Sequence, residues 1–438
     1  MKRYIAIDLG ASNGRHIVGW MDNGEIVTQK VYGFENGVKS TKDGLVWDID
    51  AIYEHVLQGI KVAIETFPDI ESVAIDTWGV DYVRFKGEAP QFPCFAYRDE
   101  RTFAMVDKVH EIVPFEQLYA KTGIQFNNFN TVYQLYDDLI KGRLEGVTDF
   151  LSIPEYLSYK LTGVKKKEYT FGTTTGLVNA YTKQFDTEIT DKLGFPKQMF
   201  TNLYQPKTLI GYLKKEVADF VGKNIPVIMC ASHDTASAVE GIPIKDLDAP
   251  YLSSGTWSII GVKSDKPHTD EKSLKKEYSN EGGVGYIRYQ KNTMGMWIVQ
   301  SLRKELCPDK DYNDIAEGAK NSCYNEIIDA NDIAFFSPKS MKQAIDDYLT
   351  KNQKPLPISI DDYFRCAYVG IAYGYKTAIK DLGDCTNAVY KKIYIVGGGA
   401  KNNFLNELTE NICGVKVHAF PIEATALGNL KIQMEREI

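Results

Sequence analysis

The chain has 438 residues, of which 44% are apolar and 25% charged, and 51 basic against 58 acidic side chains leave a formal charge of −7. Such a composition suits a soluble globular protein with core material for two domains, and it offers no basic face to nucleic acid or an anionic membrane. Seven cysteines without a C-x-x-C pair, and no apolar run near the roughly 20 residues of a membrane span, predict a cytoplasmic protein with no disulfide framework and no secretion.

In chain order, Tyr4-Ile-Ala-Ile-Asp8 reads as a strand, Gly10 to Gly14 as a small polar turn, Arg15 to Val18 as the returning strand, and Glu25 to Tyr32 as a third strand of the same meander. Apolar residues Ile49, Ile52, Tyr53, Val56, Leu57, Ile60, Ala63 and Ile64 step by three or four, which predicts a helix stopped by Pro68-Asp69. Ser72-Val-Ala-Ile-Asp76 is a further strand ending on an acid. The basic run Lys165 to Lys167 reads as a solvated loop, and Pro226 to Cys230 as a strand. A similar α/β unit recurs. Tyr251 to Gly261 is again strand, small-residue turn and strand; Ser359-Ile-Asp-Asp caps a helix that is apolar on most sides from Tyr363 to Ile379; and Lys392 to Val396 is a strand. The two related halves are expected to meet near residues 223 to 248.

Several segments could do chemistry. Asp8-Leu-Gly-Ala-Ser-Asn-Gly-Arg15 sets a carboxylate at a strand end before two glycines, a turn whose amides could cradle phosphate while Asp8 holds a metal ion; the same pattern also makes ordinary hairpins. Ser253-Ser-Gly-Thr256 offers similar small residues with hydroxyl donors. Gly397-Gly-Gly runs from a strand toward a helix over Asn403 to Asn411, but Asn402 stands where a dinucleotide fingerprint needs its third glycine, and no Walker A loop exists. Asp234, in Ser232-His-Asp-Thr-Ala-Ser-Ala238, could project from the start of a tightly packed helix as a general base or could cap that helix; His233 reads as structural. Asp76-Thr-Trp78-Gly79-Val-Asp81 combines an indole with carboxylates, groups that suit a sugar, although a Trp beside a strand also suits a core. Neither H-E-x-x-H nor a His/Cys cluster supports a zinc site.

Taken in order, these segments, with Tyr97-Arg-Asp-Glu-Arg101, Thr122-Gly-Ile-Gln125, Asn130-Thr-Val-Tyr-Gln134, Asn292-Thr-Met-Gly-Met-Trp297 and Glu423-Ala-Thr-Ala-Leu-Gly-Asn429, closely resemble the FGGY carbohydrate kinases over nearly the whole chain. The resemblance implies an α/β fold of two ribonuclease-H-like domains of the actin and hexokinase superfamily with an interdomain cleft. Residues 1–238 would form the sugar-side domain with the first phosphate turn, and 239–438 the nucleotide-side domain. It implies ATP and Mg²⁺ as cofactors and a small ketose as substrate, and leaves monomer and homodimer both open. Carried over by motif, Asp234 is the base; Gly79, His233, Asp234, Thr235 and Asn292 contact the sugar, with Trp78 and Asp81 as additions; Ala11, Ser12, Asn13, Gly14, Arg15, Thr256, Gln300 and Gly399 face the nucleotide; and Asp8 and Asp234 attend the metal. Asn13, Glu155 and Lys401 depart from the usual Ser, Asp and Gln while keeping polarity. The implied reaction is phosphorylation of the 1-hydroxyl of L-rhamnulose in L-rhamnose breakdown. The alternatives are another ketose (L-fuculose, L-xylulose or D-xylulose), a non-catalytic sugar or nucleotide sensor, and, last, an actin-like or chaperone ATPase.

Overall fold

Alternating apolar residues and short polar turns build the first sheet where the periodicity puts it. In the computed structural model, which describes residues 2–244, 249–420 and 423–436, strands β1 (Arg3–Leu9), β2 (Asn13–Asp22) and β3 (Glu25–Glu35) form the meander. Helix α1 (Ile49–Thr66) follows, capped by the Asp48 carboxylate on the Ala51 amide, and leads to β4 (Ile70–Thr77). Strands β5 (Leu209–Tyr212) and β6 (Pro226–Ile228) complete the sheet in the order β5-β6-β4-β1-β2-β3, with β1 antiparallel to β2 and parallel to β4. Part of the expected boundary region, 245–248, lies outside the described residues.

The chain divides into two compact units that are not single stretches. The first comprises Met1–Gly241, Ser264–Arg288 and Glu423–Ile438; the second comprises Ile242–Lys263 and Tyr289–Ile422. In the first, α1 buries Ile52, Val56, Ile60 and Ala63 against the sheet. On the other face, helix α2 (Asp234–Gly241) and the C-terminal helix Ala424–Met434 pack so closely that a Cβ on Gly428 would overlap the Ser237 carbonyl.

The second unit repeats the theme. Strands β7 (Tyr251–Ser254), β8 (Trp257–Ser264), β9 (Ile287–Met294), β10 (Lys392–Val396) and β11 (Lys416–Ala419) run in the order β9-β8-β7-β10-β11. Here β7 stands as β1 does, antiparallel to its hairpin partner β8 and parallel to β10. Helix α3 (Trp297–Leu306), the long helix α4 (Ile360–Thr386) and helix α5 (Asn403–Cys413) enclose its core. The Ser359-x-x-Asp362 box is formed at the start of α4, and much of that helix is buried, as its composition predicted.

One expectation is corrected. The run Lys165 to Lys167 is not a solvated loop: Lys167 is 2% exposed, its ammonium held by Asp149 and the Phe150 carbonyl, while Lys166 donates to the Leu209 carbonyl at 2.6 Å. A charge that finds an opposite charge and a carbonyl can be buried, and here the ammonium also sits 4.6 Å from the centroid of the Phe150 ring. Among the described residues no helix is long and apolar enough to cross a membrane.

His16 of β2 is fully buried, with Nε2 3.3 Å from the Val56 carbonyl of α1, and burial pushes its pKa down to about 3. The folded state keeps the ring neutral while the unfolded chain protonates below about 6.5. Between those values the unfolded state binds the extra proton, so stability is full above 6.5 and is lost as pH falls toward 3. Urea unfolding at pH 7 and pH 5 should show wild type losing about 2 kcal/mol more than His16→Gln from this group; equal losses would contradict the buried neutral ring.

Candidate active site

In the first unit, sheet register decides which polar groups meet. Asp8, at the end of β1, pairs across the ladder with Arg15 on one side and Asp76 on the other, so an acid, a base and a second acid lie in one row. Arg15 Nη2 donates to Asp8 Oδ2 at 2.6 Å and its other arm pairs with Glu423. Burial raises the Asp8 pKa, Arg15 opposes this, and Asp234 adds to it. Asp76 is fully buried and is pushed well above the usual carboxylate range by burial and then by Asp8; Asn429 donates to its Oδ2 at 2.6 Å. The turn between β1 and β2 is closed by the Gly10 amide on the Asn13 carbonyl at 2.8 Å and steadied by Asn36, whose side chain donates to the Gly10 carbonyl and whose amide donates to the Ser12 carbonyl. Ser12 and Asn13 are exposed, Ala11 and Arg15 half-buried, and Gly14 buried, where any Cβ would strike the Phe34 ring.

Asp76 also opens the next segment. The Thr77 amide donates to the Ser232 carbonyl at 2.9 Å and Thr77 bridges to His233, which sets Trp78-Gly79 beside His233-Asp234. A Cβ on Gly79 would lie 3.3 Å from His233 Nε2. The His233 carbonyl accepts the first amides of α2, those of Ala236 and Ser237, so His233 precedes the helix and Asp234 is its first residue. Asp234 is not a cap in the sequence-predicted sense. Its Oδ1 accepts from its neighbour Thr235, through the amide at 2.5 Å and the hydroxyl at 3.1 Å, and lies 3.4 Å from His233 Nε2, and its side chain is 33% exposed. From behind, the buried Glu168 carboxylate accepts the Ser232 amide at 3.2 Å while capping its own short helix, Tyr169–Thr174.

Two expected sugar contacts are corrected. Trp78 and Asp81 lie in the interior: Asp81 Oδ2 accepts from the indoles of Trp47 at 2.7 Å and Trp78 at 2.9 Å and from the Tyr97 amide at 3.2 Å, and Oδ1 accepts from Gln134 at 3.2 Å. With its oxygens taken up this way, Asp81 braces the loop that carries Gly79. Burial pushes its pKa up to about 6 against those hydrogen bonds. The sequence missed two neighbours of His233: Arg288, fully buried, and Glu281. They arrive from a segment far along the chain, and an arginine inside a strand pattern reads as solvent-facing.

In the second unit, the hairpin between β7 and β8 meets the start of α3, with the Met296 amide on the Gly255 carbonyl at 2.8 Å and the Trp297 amide on the Thr256 carbonyl at 3.0 Å. Exposed Thr256 donates to Gln300 Oε1 at 3.1 Å. Gly399 sits against Ser254, where a Cβ would overlap the Ser254 hydroxyl, and Asn402 caps α5 by accepting the Leu405 amide at 2.9 Å. Thr256, Gln300 and Gly399 thus belong to small-residue turns around the end of β7. Asn292 is exposed on β9 of the same unit.

Whether a divalent cation suits Asp8 and Asp234 is decided by donor chemistry. Among the described residues no group of three or more His, Cys, Asp or Glu is placed to hold a metal. The acids here offer oxygen only, and Asp76 Oδ1 is buried without a hydrogen-bond partner among the described residues. That set fits Mg²⁺ held by one or two carboxylates plus substrate phosphates, and does not fit zinc.

The fold is that of two-domain sugar kinases. It matches the solved ligand-bound xylulose kinase from Lactobacillus acidophilus with a TM-score of 0.81 at 18% identity, covering 100% of this chain and 89% of that one. It also matches gluconate kinase from the same organism with a TM-score of 0.81 at 19% identity, covering 99% and 89%; at such identities the likeness concerns the fold alone. Residues 3–241 match the N-terminal domain, and residues 251–435 the C-terminal domain, of the FGGY family of carbohydrate kinases. The chain belongs to that family, and is a phosphotransferase that takes phosphate from ATP. Its curated relatives include rhamnulokinases of Oceanobacillus iheyensis, 39% identical over 98% of this chain and 92% of that protein, and of Bacillus subtilis, 37% identical over 98% and 90%.

Replacing Asp81 with Ala would leave the indole N–H groups of Trp47 and Trp78 and the Tyr97 amide without their acceptor, while Gln134 keeps the Phe129 carbonyl. At about 1–3 kcal/mol for each unsatisfied donor, Asp81→Ala should lose roughly 3 kcal/mol or more in urea unfolding. A loss below about 1 kcal/mol would show that the carboxylate does not organise this loop.

Proposed function

We propose that the chain phosphorylates L-rhamnulose at its 1-hydroxyl, with ATP as donor, giving L-rhamnulose 1-phosphate and ADP. The observation that carries the catalytic reading is the Asp234 carboxylate, partly exposed at the first residue of α2, with Oδ1 hydrogen-bonded to Thr235 and 3.4 Å from His233 Nε2. Relatives named rhamnulokinase, 36–39% identical over at least 98% of this chain, support the choice of ketose.

In this reading Asp234 accepts the proton of the C1 hydroxyl as that oxygen attacks the γ-phosphorus and the bond to the ADP oxygen breaks. General-base assistance of this kind contributes about 10²–10⁴-fold. Gly79 leaves room beside His233, and His233 and Thr235 hold sugar hydroxyls in place. In the first unit the turn Ala11 to Arg15 faces nucleotide phosphate, and in the second unit Thr256, Gln300 and Gly399 line a nucleotide side. Backbone amides and the Arg15 guanidinium allow a protein of net charge −7 to hold a polyanion locally. Mg²⁺, when bound near Asp8 and Asp234, would supply neutralisation of phosphate charge. Asp8 also keeps Arg15 pointed along the turn through their ion pair. Trp78 and Asp81 support the Gly79 loop from the core and take no part in sugar contact.

ADP release measured with Mg-ATP across L-rhamnulose, L-fuculose, L-xylulose and D-xylulose, for wild type and Asp234→Asn, tests both halves of the proposal. Wild type should turn over L-rhamnulose fastest, and the variant should lose at least about 10³-fold in kcat while retaining ATP binding. A clear preference for another ketose would overturn the substrate, and unchanged turnover in Asp234→Asn would overturn the base.

A further inference from the structure

Behind His233 lies a charged pair that the reaction as described above does not use. The Arg288 side chain is fully buried; its Nε donates to the Gly282 carbonyl at 2.8 Å, and its Nη2 lies 3.0 Å from Glu281 Oε2 and 3.2 Å from His233 Nδ1. On the other side of the ring, His233 Nε2 lies 3.4 Å from Asp234 Oδ1. Glu281 Oε2 also approaches His233 Nδ1, at 3.4 Å, farther than Arg288 does. Resting on the base reading of Asp234, we infer that Arg288 is a positioning residue for this reaction: it fixes His233 as the tautomer whose Nε2–H faces Asp234 and the sugar.

A guanidinium keeps its protons and has no acceptor, so at hydrogen-bond distance it can only donate into the Nδ1 lone pair. The ring proton is then on Nε2, where it faces a carboxylate oxygen. The opposite tautomer would oppose two donors at Nδ1 and two lone-pair atoms at Nε2; Glu281 Oε2, 3.4 Å from Nδ1, favours it, but that oxygen already accepts from Arg288 Nη2 at 3.0 Å, and Arg288 is the nearer group to Nδ1. Glu281 balances the buried cation, which would otherwise be left uncompensated. Arg288 Nη1 has no hydrogen-bond partner among the described residues. With Nδ1 occupied, His233 is a donor toward the sugar and toward Asp234, and the carboxylate remains the one acceptor for the hydroxyl proton.

Long-range ¹H–¹⁵N NMR on histidine-labelled protein near neutral pH, assigned with His233→Asn, reads the tautomer without any substrate, so an error in the ketose assignment leaves this test intact. The spectrum should show a protonated Nε2 and a bare Nδ1 at His233. In Arg288→Met that resonance pair should become a tautomer mixture, and KM for the best ketose of the panel should rise at least about tenfold while KM for ATP stays within about twofold; Arg288→Lys should recover part of the loss. A wild-type His233 that is protonated at Nδ1, alone or as imidazolium, overturns the inference even if Arg288→Met does not fold. So does an Arg288→Met protein with unchanged tautomer and unchanged ketose KM.

Discussion

Two carboxylates in one row of a buried sheet are the constraint around which the first unit is arranged. Asp8 and Asp76 face each other across a parallel ladder, where like charges in a poorly solvated site repel and each loses hydration. Arg15, opposite Asp8 on the antiparallel side, supplies the compensating charge, and Asn429 supplies a donor to Asp76 from the C-terminal helix. That helix can deliver the donor because it packs almost backbone to backbone on α2, with Gly428 against Ser237. The same packing fixes the start of α2 and therefore the carboxylate of Asp234, whose charge is felt at Asp8. Acid row, helix pair and candidate base are thus one construction.

Around Asp234 the structure spends buried polar groups on orientation. Glu168 takes the Ser232 amide, Thr77 takes the Ser232 carbonyl, and Arg288 reaches the far side of His233. Asp81 does the same for the Gly79 loop by collecting two indoles, a backbone amide and a glutamine. A carboxylate with several donors around it is a rigid fixture, because moving it would strand each donor in turn. Phosphoryl transfer needs this kind of rigidity, since the protein contributes mainly by positioning and by stabilising charge.

Much of this was legible in the sequence, and the reasons differ by residue. Ile52, Val56 and Ile60 announce α1 because helix periodicity is local, and Ser359 with Asp362 announce the start of α4 because a capping box is local too. The Asp8 turn and the Asp234 segment stood out because a carboxylate beside small residues can serve chemistry, although the same patterns also make a hairpin turn and a helix cap. Trp78 and Asp81 were misread as sugar contacts because alternation ends at the turn after Thr77, and only the fold shows that Trp47 and Gln134 come to meet them. Lys167 was misread for a related reason: its partner Asp149 is 18 residues earlier, and pairings of that kind leave no local pattern. Arg288 and Glu281 left no signal at all, being drawn into the first unit from the segment Ser264–Arg288.

The central claim is that the Asp234 carboxylate takes the proton from the sugar's primary alcohol. A crystal structure with L-rhamnulose and a non-hydrolysable ATP analogue tests it most directly. The account predicts an Asp234 oxygen within about 3.2 Å of the C1 hydroxyl. A C1 hydroxyl held roughly 5 Å or more from both oxygens, with another side chain in hydrogen-bond contact with it, would contradict it.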